Sequence, residues 1–383
     1  MADRYWVGGT DSWNGTALLK WSTTSGGVGG AAEPTAADDV FFDSNSGTGT
    51  VTVVTTTGKC RSLNFTGFTG TFNNVRQVDI GDATAGNIVL GSGMTYAGTN
   101  GSIQFVSTAS GNLITSNGIT WGSNLKFGSD SGAGGTWQFQ DAVTVTESPV
   151  VRQIQMFGGL LNTNGQSVTC YNFNSTDGAG GTPILTLGAS TFTVTGDTVG
   201  VPNGIVWDIS APAGVTINPD TSTIVISSVS ANQKRFDGGS KTYNNLSITG
   251  GGTGIVLFGA DPSGFTNNTF ANLPQITGGT KSIRFTAGTT QTFTGGTNFG
   301  NGANLITIDT QIAGSSATLS KASGTVEVTS ISLKDSTAAG GATWNAFTSD
   351  GNVNVSGNTG WNFVEPVLGG AGVQQNALLL GVG

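Results

Sequence analysis

At 383 residues the chain is long enough for two or three ordinary domains or one long repeat array, and either would bury a large core. Only 9% of residues are charged, histidine is missing, and 63 residues are glycine, against about 25% charge and about 7% glycine in ordinary soluble domains. That composition excludes Ser-His-Asp and Cys-His nucleophiles, histidine metal ligands and any side chain with an unperturbed pKa near neutrality. A net charge of −8, with the 14 basic residues scattered singly or in pairs such as Lys234-Arg235, leaves no nucleic-acid footprint.

Disorder is excluded as well, since the chain carries 36% hydrophobic residues, 20 Phe and 8 Trp. The first 45 residues differ from the middle. Trp6, Trp13 and Trp21 are followed by Glu33-Pro34 and Asp38-Asp39-Val40-Phe41-Phe42-Asp43, which suits an N-terminal cap over residues 1–45. The opening Met1-Ala2-Asp3-Arg4-Tyr5-Trp6 has no basic start, apolar stretch or small-residue cleavage site, so no signal peptide is expected. No run reaches the roughly 18 apolar residues of a membrane helix, and no membrane partner is expected.

Residues 46–334 read as a body of short strands. Thr136-Trp137-Gln138-Phe139 and Val143-Thr144-Val145-Thr146 alternate apolar with polar, as do Thr191-Phe192-Thr193-Val194-Thr195, Leu246-Ser247-Ile248 and Val326-Glu327-Val328. Turn residues separate them at roughly 8–15-residue spacing, and no apolar stripe of helical period is capped as a helix would be. Cys60 and Cys170 lie inside strand-like runs, far apart in sequence. They read as two buried free thiols, neither a disulfide framework nor a metal site.

A module recurs as Ser62-Leu63-Asn64-Phe65-Thr66-Gly67, Asn124-Leu125-Lys126-Phe127-Gly128, Tyr171-Asn172-Phe173-Asn174-Ser175 and Asn245-Leu246-Ser247-Ile248-Thr249-Gly250. Its irregular spacing fits coils whose insertions fall in turns. The expected fold is therefore all-β, a parallel β-helix or β-solenoid of short irregular coils with end caps. Tandem β-sandwich domains are the alternative.

Residues 335–364 form a second distinctive block, with Asp335 to Trp344 and Asn358-Thr359-Gly360-Trp361-Asn362-Phe363, and are expected to cap the C-terminal end. Residues 365–383 are apolar, Gly-rich and carry one charge, Glu365. They lack enough apolar surface to order alone, and are expected to dock on a partner through Val367, Leu368, Leu378, Leu379 and Leu380.

With those residues in view, the chain resembles the repeat-rich β-helical surface proteins of tailed, especially marine, bacteriophages and of their bacterial hosts. The carriers are Arg4-Tyr5-Trp6-Val7-Gly8-Gly9-Thr10, Trp21-Ser22 with Asp38-Asp39-Val40-Phe41-Phe42-Asp43, the module beginning at Ser62, and the blocks around Trp344 and Trp361. They span residues 1–363. The resemblance implies a β-rich fibre, spike or head decoration exposed on the virion, and brings no catalytic residues. The partners it implies are other virion structural proteins and further copies of the chain.

Glycoside cleavage needs only two carboxylates, and the chain has 18 Asp and 4 Glu. Asp38, Asp39 and Asp43 cluster in sequence, yet Asp in such positions ordinarily binds turn backbone, and Asp335 and Asp350 sit in similar turns. Trp137 and Trp207 alternate with polar residues and read as core, whereas Trp6 and Trp361 are the remaining candidates for a sugar-stacking platform. Gly251-Gly252-Thr253-Gly254-Ile255-Val256 lacks the acid of a calcium repeat, and no Gly-rich stretch ends as a phosphate loop does. The expected function is a non-enzymatic virion surface protein with no cofactor or metal. The alternative is a tail fibre or tailspike that binds, and in a further version hydrolyses, host surface polysaccharide; a secreted adhesin is disfavoured by the missing signal peptide.

Overall fold

The computed structural model describes residues 1–14, 19–129, 134–145, 152–175, 181–197, 204–209, 214–250, 252–259, 267–296, 298–299 and 304–365. They form an all-β solenoid, as alternation and turn density predict. From Asp39 onward the chain repeats one circuit. Asp39–Phe41, Thr50–Val53 and Gly58–Cys60 are followed by Ser62–Asn64, Thr71–Asn74 and Val78–Ile80, each strand pairing in parallel with the strand one circuit earlier. Three faces result. The third is the longest, a 13-stranded parallel sheet running from Gly58–Cys60 to Val353–Ser356. The first face holds ten strands ending at Thr216–Asn218, then five from Thr242–Tyr243 to Ser336–Ala339. The second is built of four-, six- and four-stranded pieces.

Coil length varies, because Ile154 pairs with Phe173 whereas Phe173 pairs with Trp207. Insertions lengthen turns and leave the ladder intact. The helical element lying wholly within the described residues is one 3-10 turn, Thr348–Asp350. None of the described helices is long and apolar enough to cross a membrane.

Strand alternation decides what is inside. In Thr136–Phe139, Trp137 and Phe139 are buried while Thr136 and Gln138 are partly exposed, and Thr191–Val194 and Thr325–Val328 follow the same rule. Parallel stacking then places like on like: Phe42 on Phe65 and Phe105 on Phe127, each at 4.8 Å between ring centroids. Such stacks contribute about 0.5–1.5 kcal/mol each beyond area burial. The recurring module supplies these rings, but its four copies fall on different faces. Ser62–Asn64 lies on the first, Asn124–Phe127 and Asn172–Asn174 on the third, and Asn245–Ile248 on the second. It is thus a strand-and-turn unit rather than a whole coil.

Three buried lysines serve loop carbonyls. Lys234 donates to the Ser230 carbonyl, Lys281 to that of Gly250, and Lys321 to that of Ser323 at 2.7 Å. Burial pulls Lys234 and Lys281 below the usual lysine range.

Among described strands one pairing is antiparallel. Trp21–Ser22 folds back on Asp3–Trp6 at the edge of the first face. Trp21 lies edge-on to Trp6 at 5.0 Å and to Trp13 at 5.1 Å, and all three indoles are buried. At the other end Ser336–Ala339, Thr343–Asn345 and Val353–Ser356 continue the three faces. There Trp344 meets Trp361 edge-on at 5.1 Å.

Candidate binding groove

Outward residues of the first face build a concavity. Because Val40 and Phe42 point into the core, Asp39 and Phe41 point out. The ladder sets Ser62 beside Asp39 and Asn64 beside Phe41, with Val89 and Thr115 next along the row. Tyr5, one strand earlier, stacks on Phe41 at 4.8 Å with ring planes 15° apart. A groove of about 410 Å³ opens here, lined among others by Asp39, Phe41, Arg61, Asn64, Asn87 and Leu113.

Arg61 and Asp39 form an ion pair in this groove. Asp39 Oδ1 and Arg61 Nε are buried and have no partner among the described residues. An unsatisfied buried polar atom costs about 1–3 kcal/mol, so the floor of the groove is held at some expense to the fold. A shallower concavity of about 560 Å³ lies farther along the same face, against Thr136, Leu160 and Ile184.

The sequence candidates for carboxylate chemistry separate. Asp38 accepts hydrogen bonds from Ala2 N at 3.0 Å, Thr35 N at 3.0 Å and Thr35 Oγ1 at 2.8 Å. Asp39 holds Arg61, and Asp43 accepts from Asn45 N at 2.9 Å in the turn after its strand. Asp335 accepts from Gly314 N at 2.9 Å, and Asp350 closes the 3-10 turn. Each therefore serves backbone or a basic neighbour.

Trp6, Trp137, Trp207 and Trp361 are all buried, so Trp6 and Trp361 are core and offer no platform. Tyr5 with Phe41 is instead a ring pair that stays partly exposed, which alternation within Arg4-Tyr5-Trp6 and Val40-Phe41-Phe42 signals. Cys60 and Cys170 are free and buried, and burial pushes the Cys60 thiol well above its ordinary range. Among the described residues no three His, Cys, Asp or Glu side chains come close enough to hold a metal ion. The expected docking residues Val367, Leu368, Leu378, Leu379 and Leu380 lie outside the described residues.

These surroundings set the pH response. Burial alone would raise the Asp38 carboxyl, but the Thr35 hydroxyl and N–H, the Arg4 charge and the Ala2 N–H outweigh it and hold Asp38 below the usual range. Burial is likewise outweighed at Asp11 by Ser12 and Lys20, and at Asp82 by Thr84 and Ala85. A folded pKa below the unfolded one contributes stability that is present above about pH 4 and is lost as pH falls through the folded value. Asp237 runs the other way, raised by burial first and by Asp208, so its cost is relieved on acidification. With no histidine, the melting temperature should stay flat between about pH 6 and 8. Asp38→Asn should lower it at pH 7 and narrow the gap between pH 7 and pH 3. Calorimetry across that range checks both, and a melting point that moved by several degrees between pH 6 and 8 would contradict the first.

Comparison with family models, with curated proteins and with solved structures returns no match for this chain.

Proposed function

We propose that this chain is a non-enzymatic structural protein on the outer surface of a tailed-bacteriophage virion, as a capsid decoration, head fibre or related appendage. The observation that carries the reading is the uninterrupted parallel stack. Thirteen strands on the third face, at roughly 4.8 Å per step, make a body about 60 Å long around one aromatic core. Such a body is stiff, because every coil is clamped to two neighbours by backbone ladders and stacked rings. The residues that carry the resemblance to phage surface proteins lie at both ends of this stack, Trp344 and Trp361 at its finish. Tyr5, Trp6, Val40 and Phe42 belong to its first two rungs, and Asp38 ties Ala2 to Thr35. The clustered carboxylates are occupied with turn backbone or, for Asp39, with Arg61, which fits a scaffold better than a hydrolase.

A second reading, a fibre that binds host polysaccharide, is favoured by one feature, the groove beside Tyr5 and Phe41. Stacked rings next to an ion pair and two carboxamides suit a ligand with apolar sugar faces and many hydroxyls. Purified particles decide between the readings. Mass spectrometry should find the chain in stoichiometric amount, and gold-labelled antibody against it should mark the particle exterior. Absence from particles, or labelling only after disruption, overturns the proposal. If Phe41→Ala lowers binding of host polysaccharide by tenfold or more without shifting the melt, the second reading replaces pure decoration.

A further inference from the structure

The groove beside Phe41 continues into the second concavity of the same face. Its lining reaches Leu113 and Thr115 on the strand Asn112–Thr115, which pairs in parallel with Thr136–Phe139. There the second concavity starts, against Thr136, Leu160 and Ile184. Seven successive strands of one sheet, from Asp39–Phe41 to Ile184–Thr186, therefore carry both hollows. At roughly 4.8 Å per strand, the lined surface runs about 29 Å along the solenoid axis.

Register and alternation fix what this surface offers. Gln138 stands beside Leu113, Asn162 beside Gln138 and Thr186 beside Asn162, in one outward row. By the two-residue period, Leu160 and Ile184 flank that row on one side, and Phe41 and Val89 flank its continuation on the other. None of the strands from Ser62–Asn64 to Ile184–Thr186 contains a charged residue, and the ion pair at the head of the surface, Arg61 with Asp39, neutralises itself. Asn64 Oδ1 accepts from the Thr66 N–H at 2.7 Å and Asn87 Oδ1 from the Leu113 N–H at 2.8 Å, so the amide NH2 of each is left to donate. The Gln138 carboxamide has no hydrogen-bond partner among the described residues. Uncharged donors and acceptors between strips of apolar side chain match neutral sugar rings, which offer hydroxyl edges and C–H faces. An anionic polymer would meet no cation here beyond the guanidinium that Asp39 already holds.

We propose that this face is a track for a neutral polysaccharide chain lying parallel to the solenoid axis, with Gln138 and Leu160 reading sugar units beyond those at Phe41. The inference rests on the second reading above, in which the groove takes host polysaccharide. Recognition is then of a run of units rather than of a chain end. The full chain is tested first on an array of neutral and acidic bacterial polysaccharides, and then on oligosaccharides cut by partial hydrolysis from the neutral one bound most tightly. Affinity should rise at least tenfold from disaccharide to hexasaccharide. Leu160→Lys, which fills the second hollow, should remove that gain and leave the melt and disaccharide binding unchanged. Gln138→Ala takes away one carboxamide and no core contact, and repeats the test should Leu160→Lys fail to fold. If affinity is equal for both lengths while Phe41→Ala still lowers it, the groove reading stands and the track is overturned. Tighter binding of acidic polysaccharides also overturns the track, and binding to no polysaccharide overturns track and groove reading together.

Discussion

Replacing Trp207 with alanine should lower the stability of the central coils by about 3–5 kcal/mol and split the melting of the solenoid into two steps. Trp207 is fully buried, 4.5 Å from Phe173, 5.3 Å from Phe192 and 6.1 Å from Phe236, each measured between ring centroids. Its Nε1–H donates to the Tyr243 hydroxyl at 3.1 Å, which in turn donates to the Gly238 carbonyl at 2.9 Å. One substitution therefore leaves a cavity among four rings and removes a donor that the buried Tyr243 oxygen accepts. In a solenoid each coil is stabilised only by its neighbours, so the loss stays local and the stacks on either side retain their own interfaces. Calorimetry should show two transitions where the parent shows one. A single transition at the parental temperature would mean that the core near Trp207 carries little of the coupling between coils.

Strand identity was legible because each strand is a local object. Thr136-Trp137-Gln138-Phe139 states its own inside and outside, and the structure places Trp137 and Phe139 in the core. The choice of solenoid over sandwich was legible from irregular recurrence, since only stacked coils tolerate insertions of changing length. The order of faces was not legible. Leu63 and Leu246 occupy the same place in the recurring module, yet they lie on the first and the second face. Which face a strand joins depends on turn lengths and bends that no short motif encodes.

The groove was legible only in part, for a related reason. Alternation says that Asp39 and Phe41 point outward, but not that Ser62, Asn64 and Val89 will stand beside them. Those neighbours come from ladder register, which links positions a variable coil apart. Tryptophan is the ring best suited to a sugar platform, and the sequence leaves Trp6 and Trp361 open for that role. Both lie at ends of the stack, where a bulky indole covers core that no further coil would cover, and burial there is the physical outcome. The sequence neighbours Asp38, Asp39 and Asp43 diverge because a turn, a strand and a second turn take one each.

Gly91→Ala should cost at least about 2 kcal/mol, although alanine is the smallest side chain that can be added. A Cβ at Gly91 would stand 2.1 Å from the Phe65 carbonyl oxygen of the coil beneath, and 3.2 Å from that of Phe68. Both obstacles are backbone. Phe65 cannot withdraw, because its ring is stacked on Phe42 and its N–H donates to the Val89 carbonyl at 2.8 Å. Relief requires prising two coils apart, which weakens several ladder bonds together. Gly111 supplies the contrast: its φ of 77° is left-handed, but nothing lies within 4 Å of the added atom. Gly111→Ala should cost only about 1–2 kcal/mol, the strain of an L-residue in that region. Gly111→Asn should cost less still, since Asn117 and Asn164 already hold such angles in this chain. Denaturant melts of the three variants separate the two mechanisms. If Gly91→Ala proved as mild as Gly111→Asn, coil-to-coil contact at Gly91 would be looser than 2.1 Å implies, and the close stacking of the first face would have to be redrawn.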